Sequence, residues 1–132
     1  MMVLQPRWGV IGNKKCAPRL SVVAELRLER HPAVIEQDLP EIYAFIARDD
    51  QAAAERVLDA VEAGFSQLTR HPESGVAFPT RNPRLKGMRM LPLNGFPDYL
   101  IFYCVEPESV RILYVTHGAR HLLRFFRREP RN

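Results

Sequence analysis

One stretch of the chain limits the fold more than any other: residues 99–105, which read YLIFYCV. The run is almost entirely aromatic and aliphatic, and Glu106-Pro107 ends it. Such a length and composition predict a β-strand that is buried on both faces. Residues 110–116 return after a four-residue turn, which predicts an antiparallel hairpin. The return run is expected to alternate, with Val110, Ile112 and Tyr114 on one face and Arg111, Leu113 and Val115 on the other.

The segment before this hairpin predicts one strand and two helices. Residues 22–30 alternate between apolar and charged side chains, which is typical of a half-exposed strand. Residues 33–48 and 51–70 carry apolar side chains at helical spacing with almost no loop between them, so they predict an antiparallel helical hairpin. Pro40 is unfavourable inside a helix, which predicts either a helix start near Asp38, capped by that side chain, or a kink in the preceding turn.

The remaining segments complete the predicted fold. Gly64, inside the second helix, is expected to mark a close helix–helix contact. Residues 87–93 predict a short strand, and Asn94-Gly95 opens a lengthened loop into the buried strand. Residues 119–128 predict a short helix or tail rich in arginine. The fold class is therefore α+β, with a strand, an antiparallel helical hairpin, a three-stranded antiparallel meander and a short C-terminal helix.

The length of 132 residues predicts one domain. Residues 1–20 mix proline, glycine and scattered charge without a period, so we expect a disordered or poorly packed basic extension before a single domain at 21–132. No apolar run approaches the roughly 20 residues of a bilayer-spanning helix and no secretory signal stands out, so a cytoplasmic location is expected. In that compartment a disulfide between the only cysteines, Cys16 and Cys104, is not expected.

Charge is distributed unevenly along the chain. Residues 25–73 hold eleven acidic and five arginine residues, whereas the chain from residue 81 onward holds ten basic and four acidic residues. A basic half can steer a nucleic acid or an acidic protein towards itself. The two halves can also simply offset each other across the fold, and the sequence leaves both interpretations open.

Four segments, in order along the chain, resemble the toxins of the ParE/RelE superfamily from bacterial type II toxin–antitoxin modules. They are residues 36–47, the helix end at His71-Pro72, the strand 99–103 and the strand exit 112–120. The ordered set is closest to the ParE branch. The resemblance implies a growth-inhibiting toxin that an antitoxin encoded beside it neutralises, by folding its tail onto the helices and the sheet.

The two branches of the superfamily imply different activities. ParE-type members are associated with poisoning DNA gyrase, whereas RelE-type members cleave messenger RNA in the ribosomal A site. RNA cleavage needs a base, an acid and cations around one phosphate. The nuclease branch has an arginine where this chain has Leu100 and a tyrosine where it has Phe125 or Phe126, so half of that site is missing. The resemblance therefore favours a target-binding, ParE-like toxin, with an mRNA endoribonuclease of the RelE type as the alternative.

Basic and histidine side chains around the strand exit are the candidate functional residues. Arg120 falls where the nuclease branch has a catalytic arginine, and Arg89 or Lys86 can stand for the basic residues of its second strand. Together with His117 they would form the catalytic set if the protein is a nuclease. For a ParE-like toxin, we expect the target to contact Arg89, His117, Arg120, Arg124 and Arg127.

The helical hairpin is the candidate antitoxin surface. Tyr43, Ile46 and Leu58 are expected to keep an exposed apolar edge that receives the antitoxin. His117 and His121 are four residues apart, but no third ligand has suitable spacing, so neither a metal nor another cofactor is expected. A third hypothesis is a degenerate member that is not toxic and only binds an antitoxin-like partner.

Overall fold

The computed structural model describes residues 26–79 and 83–118, with Arg84 described by its backbone alone. The predicted extension at 1–20 and the predicted C-terminal helix at 119–128 lie outside these residues, so the division into an extension and a single domain stays a prediction. The elements are β1 (Arg27–Arg30), α1 (Leu39–Ala47), α2 (Gln51–Arg70), β2 (Val76–Ala77), β3 (Arg89–Leu93), β4 (Phe96–Val105) and β5 (Ser109–His117).

The five strands form one sheet in the order β1-β5-β4-β3-β2. Strand β1 runs parallel to β5, and the other neighbouring strands are antiparallel. The α+β class is confirmed, with the helical hairpin and the β3-β4-β5 meander as predicted. The short edge strand β2 and the pairing of β1 with β5 are additions that the sequence pattern did not specify.

Helix α1 shows how the chain accommodates Pro40. A π-helical turn, Val34–Asp38, precedes the helix, and the first N–H after it donates to the carbonyl of Val34 five residues earlier. Pro40 therefore lies in the first turn of α1, where its missing N–H costs little. The predicted cap at Asp38 is wrong, because this residue has helical backbone and its side chain caps no N–H. Instead its buried carboxylate accepts a hydrogen bond of 3.0 Å from the N–H of Val115 in β5.

Asp38 lies where β1 no longer covers β5. The ladder between the two strands ends at the pair of Arg30 and Ile112, and the N–H of His31 makes the last bond, to the Ile112 carbonyl. Beyond that point, the Asp38 carboxylate supplies the acceptor that a neighbouring strand would have supplied. Buried backbone N–H groups need such a partner. The contact therefore fixes the start of the helical hairpin to the sheet.

Helix α2 spans the range 51–70 that the sequence predicts. Its preceding residue, Asp50, accepts a hydrogen bond of 3.0 Å from the N–H of Ala53. Gly64 faces the sheet, since a methyl group built on it would lie 2.9 Å from Cδ1 of Ile101, so the close contact is with the sheet and not with α1. Neither helix in the described part of the chain is long and apolar enough to cross a membrane. The apolar stripe that α2 buries comprises Ala54, Val57, Val61, Phe65 and Leu68.

Strand β4 is buried on both faces, as predicted. On the helix side, Ile101 and Tyr103 belong to the main core beneath α1 and α2. On the other side, Phe102 belongs to a second cluster that Leu85 and Met88 cover. Each such side chain contributes about 1.5–3 kcal/mol through burial. The segment from 83 to 88 is therefore a second layer over the sheet.

One extra residue in β5 overturns part of the predicted alternation. Ile112 and Tyr114 pair with adjacent residues of β4, so Leu113 between them is a β-bulge. The predicted faces of Ile112 and Leu113 are correct, but those of Tyr114 and Val115 are wrong. Tyr114 joins Leu113 in the second cluster, and Val115 faces the helices. A single inserted residue reverses every later side chain, because side chains alternate with a period of two.

The turn between β3 and β4 is tighter than predicted. Leu93 pairs directly with Phe96, so Asn94 and Gly95 form a two-residue turn. Gly95 has a φ of +86°, which glycine adopts without strain. The lengthened loop was a wrong prediction, since residues 97–99 bulge from the start of β4 instead.

Cys104 is fully buried and takes part in a disulfide bond. The expectation that this cysteine would remain outside any disulfide is therefore wrong. The other cysteine of the chain, Cys16, lies outside the described residues.

Candidate functional site

Arg89 projects from β3, and its guanidinium group binds the backbone of a nearby loop. Its Nε and Nη2 atoms donate to the carbonyl of Gly75 at 3.1 and 2.6 Å, and Nη2 lies 3.4 Å from the carbonyl of Glu73. Both carbonyls belong to the loop that connects α2 with β2. Hydrogen bonds from a charged donor are stronger than neutral ones, so Arg89 holds this loop against the sheet.

Tyr103 holds the same loop from the centre of the sheet. Its hydroxyl group donates to the carbonyl of Pro72 at 2.8 Å and accepts from the N–H of Gly75 at 2.9 Å. A methyl group on Gly75 would lie 2.6 Å from that hydroxyl oxygen and from the carbonyl oxygen of Met90. Only glycine fits this position. We call Pro72, Gly75, Arg89 and Tyr103 the loop lock.

The loop lock also changes the chemistry of the tyrosine. Burial raises the pKa of the Tyr103 hydroxyl group above its ordinary value. The hydrogen bond from the Gly75 backbone and the nearby Arg89 guanidinium oppose this rise. Tyr103 therefore stays protonated at neutral pH, as its donation to the Pro72 carbonyl requires.

His117 is the last residue of β5, and it lies beside the other end of β4, where it pairs with Tyr99. Its ring meets the ring of Tyr99 edge-on, with centroids 5.1 Å apart. Its Nδ1 atom is buried and has no hydrogen-bond partner among the residues that the structure describes. Gly118 follows, and a methyl group on it would lie 2.6 Å from Cδ1 of Leu100, so the chain leaves the sheet in close contact with β4. We call Tyr99, His117 and Gly118 the exit rim.

The structure keeps Arg89 and His117 apart. Arg89 pairs with Tyr103 and His117 pairs with Tyr99, four residues earlier on β4. Four residues of strand span about 13 Å. The remaining predicted target-binding residues, Arg120, Arg124 and Arg127, lie outside the described residues.

The candidate antitoxin surface on the helices is only partly exposed. Tyr43, Ile46 and Leu58 are half-buried, and Ile46 packs against the main core. The larger exposed apolar side chains are Ile35, at 53% exposure, and Phe45, at 41%. Helical spacing assigns Ile35 to the buried stripe, but the π-helical turn adds a residue and shifts the register. The sequence pattern therefore predicts a buried side chain for Ile35 where the structure has an exposed one, since the π-helical turn cannot be recognised from the residues.

Comparisons with known proteins agree with this fold. Residues 29–122 match the family described as "ParE toxin of type II toxin-antitoxin system, parDE". This chain belongs to the ParE toxin family. A curated relative from Sinorhizobium fredii (strain NBRC 101917 / NGR234), "Putative toxin Y4kP", is 38% identical over 80 residues, which cover 61% of this chain and 76% of the relative.

A solved structure shares the architecture of this ParE-family toxin. It is described as "Chromosomal ParDE TA system from P. aeruginosa", and it matches with a TM-score of 0.56 and 18% identity. The match covers 70% of this chain and 96% of that chain. At this identity the likeness shows the fold alone. The predicted resemblance to the ParE branch is confirmed by the family match.

The sheet face away from the helices bears on what the toxin can do chemically. Its centre holds Leu100, Phe102 and Tyr114, which pack together with Leu85 and Met88. Leu100 occupies the position where the nuclease branch has an arginine, and here it is part of this apolar cluster. Within residues 26–79 and 83–118, no group of three or more His, Cys, Asp or Glu side chains could hold a metal ion.

Sequence reasoning missed the loop lock of the toxin. One signal for it was present, because the hydroxyl group of Tyr103 lies inside an apolar run and a buried tyrosine hydroxyl usually finds a partner. The identity of that partner was not readable, since Pro72 and Gly75 are 31 and 28 residues away in sequence.

Proposed function

We propose that this ParE-family toxin inhibits growth by binding a macromolecular target, with DNA gyrase as the candidate that the family resemblance indicates. The observation that carries the proposal is the separation of Arg89 from His117 by about 13 Å along β4. A ribonuclease needs its acid, its base and its cations within hydrogen-bond reach of one phosphate. The described residues of the proposed nuclease set do not meet that requirement, which favours binding over cleavage.

The exit rim is the proposed start of the target-binding surface. His117 lies on it, and the basic residues Arg120, Arg124 and Arg127 follow it in sequence. Arg89, in β3, lies beside the Tyr103 end of β4, and its guanidinium donates to a backbone carbonyl of the loop. We therefore keep His117 and the three later arginines as target-binding residues and assign Arg89 to the support of the loop.

A cognate antitoxin is the proposed partner that neutralises the toxin. The family is defined by toxin–antitoxin pairs, and the solved structure that shares the fold is described as a ParDE system. Tyr43, Ile46 and Leu58 remain the proposed contacts on the helical hairpin, with the more exposed Ile35 and Phe45 beside them on the same element. Partly exposed apolar side chains on a helix suit an amphipathic partner segment.

Inducible expression in a bacterial host tests the proposal. We expect growth arrest with filamentation and a DNA-damage response, and we expect purified protein to inhibit gyrase supercoiling. Rapid translation arrest with cleaved messages would instead support the RelE-type alternative. Absence of growth arrest would support the non-toxic hypothesis. Co-expression of the short reading frame beside the gene should restore growth, and a lack of rescue would contradict the assignment of that product as the antitoxin.

We propose the cytoplasm as the location, because both the target and the antitoxin of the proposal are cytoplasmic. The disulfide at Cys104 speaks against this location, since structural disulfides are rare in that compartment, and the thiol state in cells decides between the two. Cells quenched in acid and alkylated under denaturing conditions report the thiol state. Mostly alkylated Cys104 supports the cytoplasm, and a fully protected cysteine contradicts it.

A further inference from the structure

The outer surface of the helical hairpin combines apolar and acidic side chains. Two of the three large apolar side chains that are exposed in the described structure, Ile35 and Phe45, lie on α1 or its preceding turn. Residues 33–70 contain eight acidic and three arginine residues, a net charge of −5. Glu41 lies one helical turn before Phe45, so the two share a face of α1. The Arg48 guanidinium lies 5.6 Å from the centroid of the Phe45 ring, so one cation already contacts this ring. The acidic excess of the hairpin still makes the surface suited to a partner segment that is both apolar and basic.

The end of β5 lies at the same end of the molecule as the C-terminal half of α1. The N–H of Leu26 donates to the carbonyl of Thr69, and Arg30 lies 3.6 Å from Glu62, so α2 runs antiparallel to β1. As the other arm of the antiparallel hairpin, α1 runs in the direction of β1 and of its parallel neighbour β5. The bond between Asp38 and Val115 sets a common starting point. Phe45 lies about 10 Å further along α1, and Gly118 lies about 10 Å further along β5. The chain therefore leaves the sheet at the same end of the molecule as Phe45.

The segment that begins there has the complementary chemistry. Residues 119–132 contain five arginines and one acidic residue, a net charge of +4, together with two leucines and two phenylalanines. We propose that this C-terminal segment docks on the outer surface of the helical hairpin of its own chain. The charges of the two partners are opposite and similar in size, and the apolar side chains on both sides can bury one another. The inference does not depend on which target the toxin binds.

Docking has a consequence for the arginines of the segment. An arginine that pairs with an acidic residue of the hairpin cannot contact a target at the same moment. Each exposed pair contributes little by itself, so the apolar contacts around Phe45 must supply most of the binding. Because the segment is tethered close to its site, even a weak interaction is populated.

Site-specific photo-crosslinking in the full-length chain tests this proposal. Phe45 is replaced by p-benzoylphenylalanine, a residue of similar shape, in protein made by cell-free synthesis, and the crosslinked peptides are identified by mass spectrometry. We expect crosslinks to peptides from residues 119–132. A folded protein, with unchanged circular dichroism and melting temperature, that gives no such crosslink would overturn the proposal. Should the Phe45 variant fail to fold, the same probe at Ile35 gives the same test.

A matched control comes from the other edge of the sheet. Val76 in β2 is apolar and 58% exposed, so the same probe placed there should not reach the segment. Equal crosslinking from both positions would show that residues 119–132 contact the surface of the protein without preference, and would overturn the proposal. A mixture of isotope-labelled and unlabelled chains identifies the source of the segment. Crosslinks between chains would overturn docking within one chain and indicate self-association.

Charge reversal tests the electrostatic part. Glu41→Lys should lower the crosslinking yield from Phe45 severalfold, because it places a cation beside the arginines. Glu73→Lys, at an exposed acidic residue beyond the end of α2, should leave the yield unchanged. A yield that both substitutions lower equally, or that neither lowers, would contradict the assignment of the acidic surface on α1.

Discussion

The two ends of strand β4 differ in how their polar groups are used. At the Tyr103 end, the loop lock joins three backbone groups to two side chains through bonds of 2.6–3.1 Å. At the Tyr99 end, the exit rim contains a ring contact and a histidine nitrogen with no hydrogen-bond partner among the described residues. The Tyr103 end of β4 therefore carries a structural network, whereas the buried Nδ1 of His117, beside the Tyr99 end, takes part in no such network among the described residues.

This difference separates residues that the sequence grouped together. Arg89 and His117 were both expected to contact the target, on the basis of charge and position in the resemblance. The structure shows that the guanidinium of Arg89 already donates to the Gly75 carbonyl, and a part-buried hydrogen bond from a charged donor is costly to break. His117 at the exit rim is half-buried and makes no hydrogen bond through Nδ1 among the described residues, so it stays the candidate for target contact.

Gly75→Ala should disrupt the loop lock most. The new methyl group would lie 2.6 Å from the Tyr103 hydroxyl oxygen and from the Met90 carbonyl, so either the backbone or the tyrosine must move. We expect a loss of about 3 kcal/mol in the free energy of unfolding, measured by urea denaturation. A loss below about 1 kcal/mol would show that the loop has room to shift.

Tyr103→Phe should cost less, because it removes one hydroxyl group and adds no atoms. The Pro72 carbonyl and the Gly75 N–H would lose their shared partner in a buried site. We expect a loss of about 2 kcal/mol. Tyr43→Phe, on the half-buried face of α1, is the control and should change stability by less than about 0.5 kcal/mol. Equal effects at the two positions would contradict a special role for the Tyr103 hydroxyl group.

The dependence of stability on pH should report the same tyrosine. Burial raises the pKa of Tyr103 above its ordinary value of 10.0, so above pH 10.0 the unfolded chain loses this proton before the folded chain does. The folded state then holds more protons, and its stability falls as the pH rises through the folded-state pKa. Below pH 10.0 the contribution is fully present. Tyr103→Phe should flatten this alkaline decline in urea titrations, and an unchanged decline would assign it to other groups.

Gly64→Ala should have the smallest effect of the series. The new methyl group would lie 2.9 Å from Cδ1 of Ile101, the far end of a flexible side chain, whereas at Gly75 it would meet backbone. Alanine also favours the helix over glycine by about 1 kcal/mol, which offsets the crowding. We expect a net change near zero in urea denaturation. A loss comparable to that of Gly75→Ala would show that α2 and β4 are packed as rigidly as the loop lock.

The sequence predicted the features that repeat along the chain. The apolar run of β4 and the stripe of α2 are visible because burial selects the same type of residue at each turn or at each strand position. Irregularities that consist of one inserted residue could not be predicted from the sequence. The bulge at Leu113 and the π-helical turn before α1 each insert one residue, and ordinary residues occupy both. Each insertion moved a predicted side chain, Tyr114 and Ile35 respectively, to a different environment.

Contacts between residues far apart in the sequence were also not predicted. Asp38 and Glu41 resemble a helix cap in sequence, yet the carboxylate of Asp38 binds Val115, 77 residues later. Arg89 resembles a surface cation, yet it binds the loop after α2. The candidate site could be predicted only as a set of basic residues, because sequence spacing does not reveal which cations the fold itself uses.

The most direct test of the contrast between the two ends compares Arg89→Met with His117→Ala. Both proteins are expressed from the same inducible promoter, and growth arrest is measured against the amount of soluble folded protein. We expect Arg89→Met to lower stability but to retain growth arrest per folded molecule, and His117→Ala to remain folded but to lose most of it. A folded Arg89→Met protein that fails to arrest growth, beside a His117→Ala protein that arrests it fully, would contradict the account.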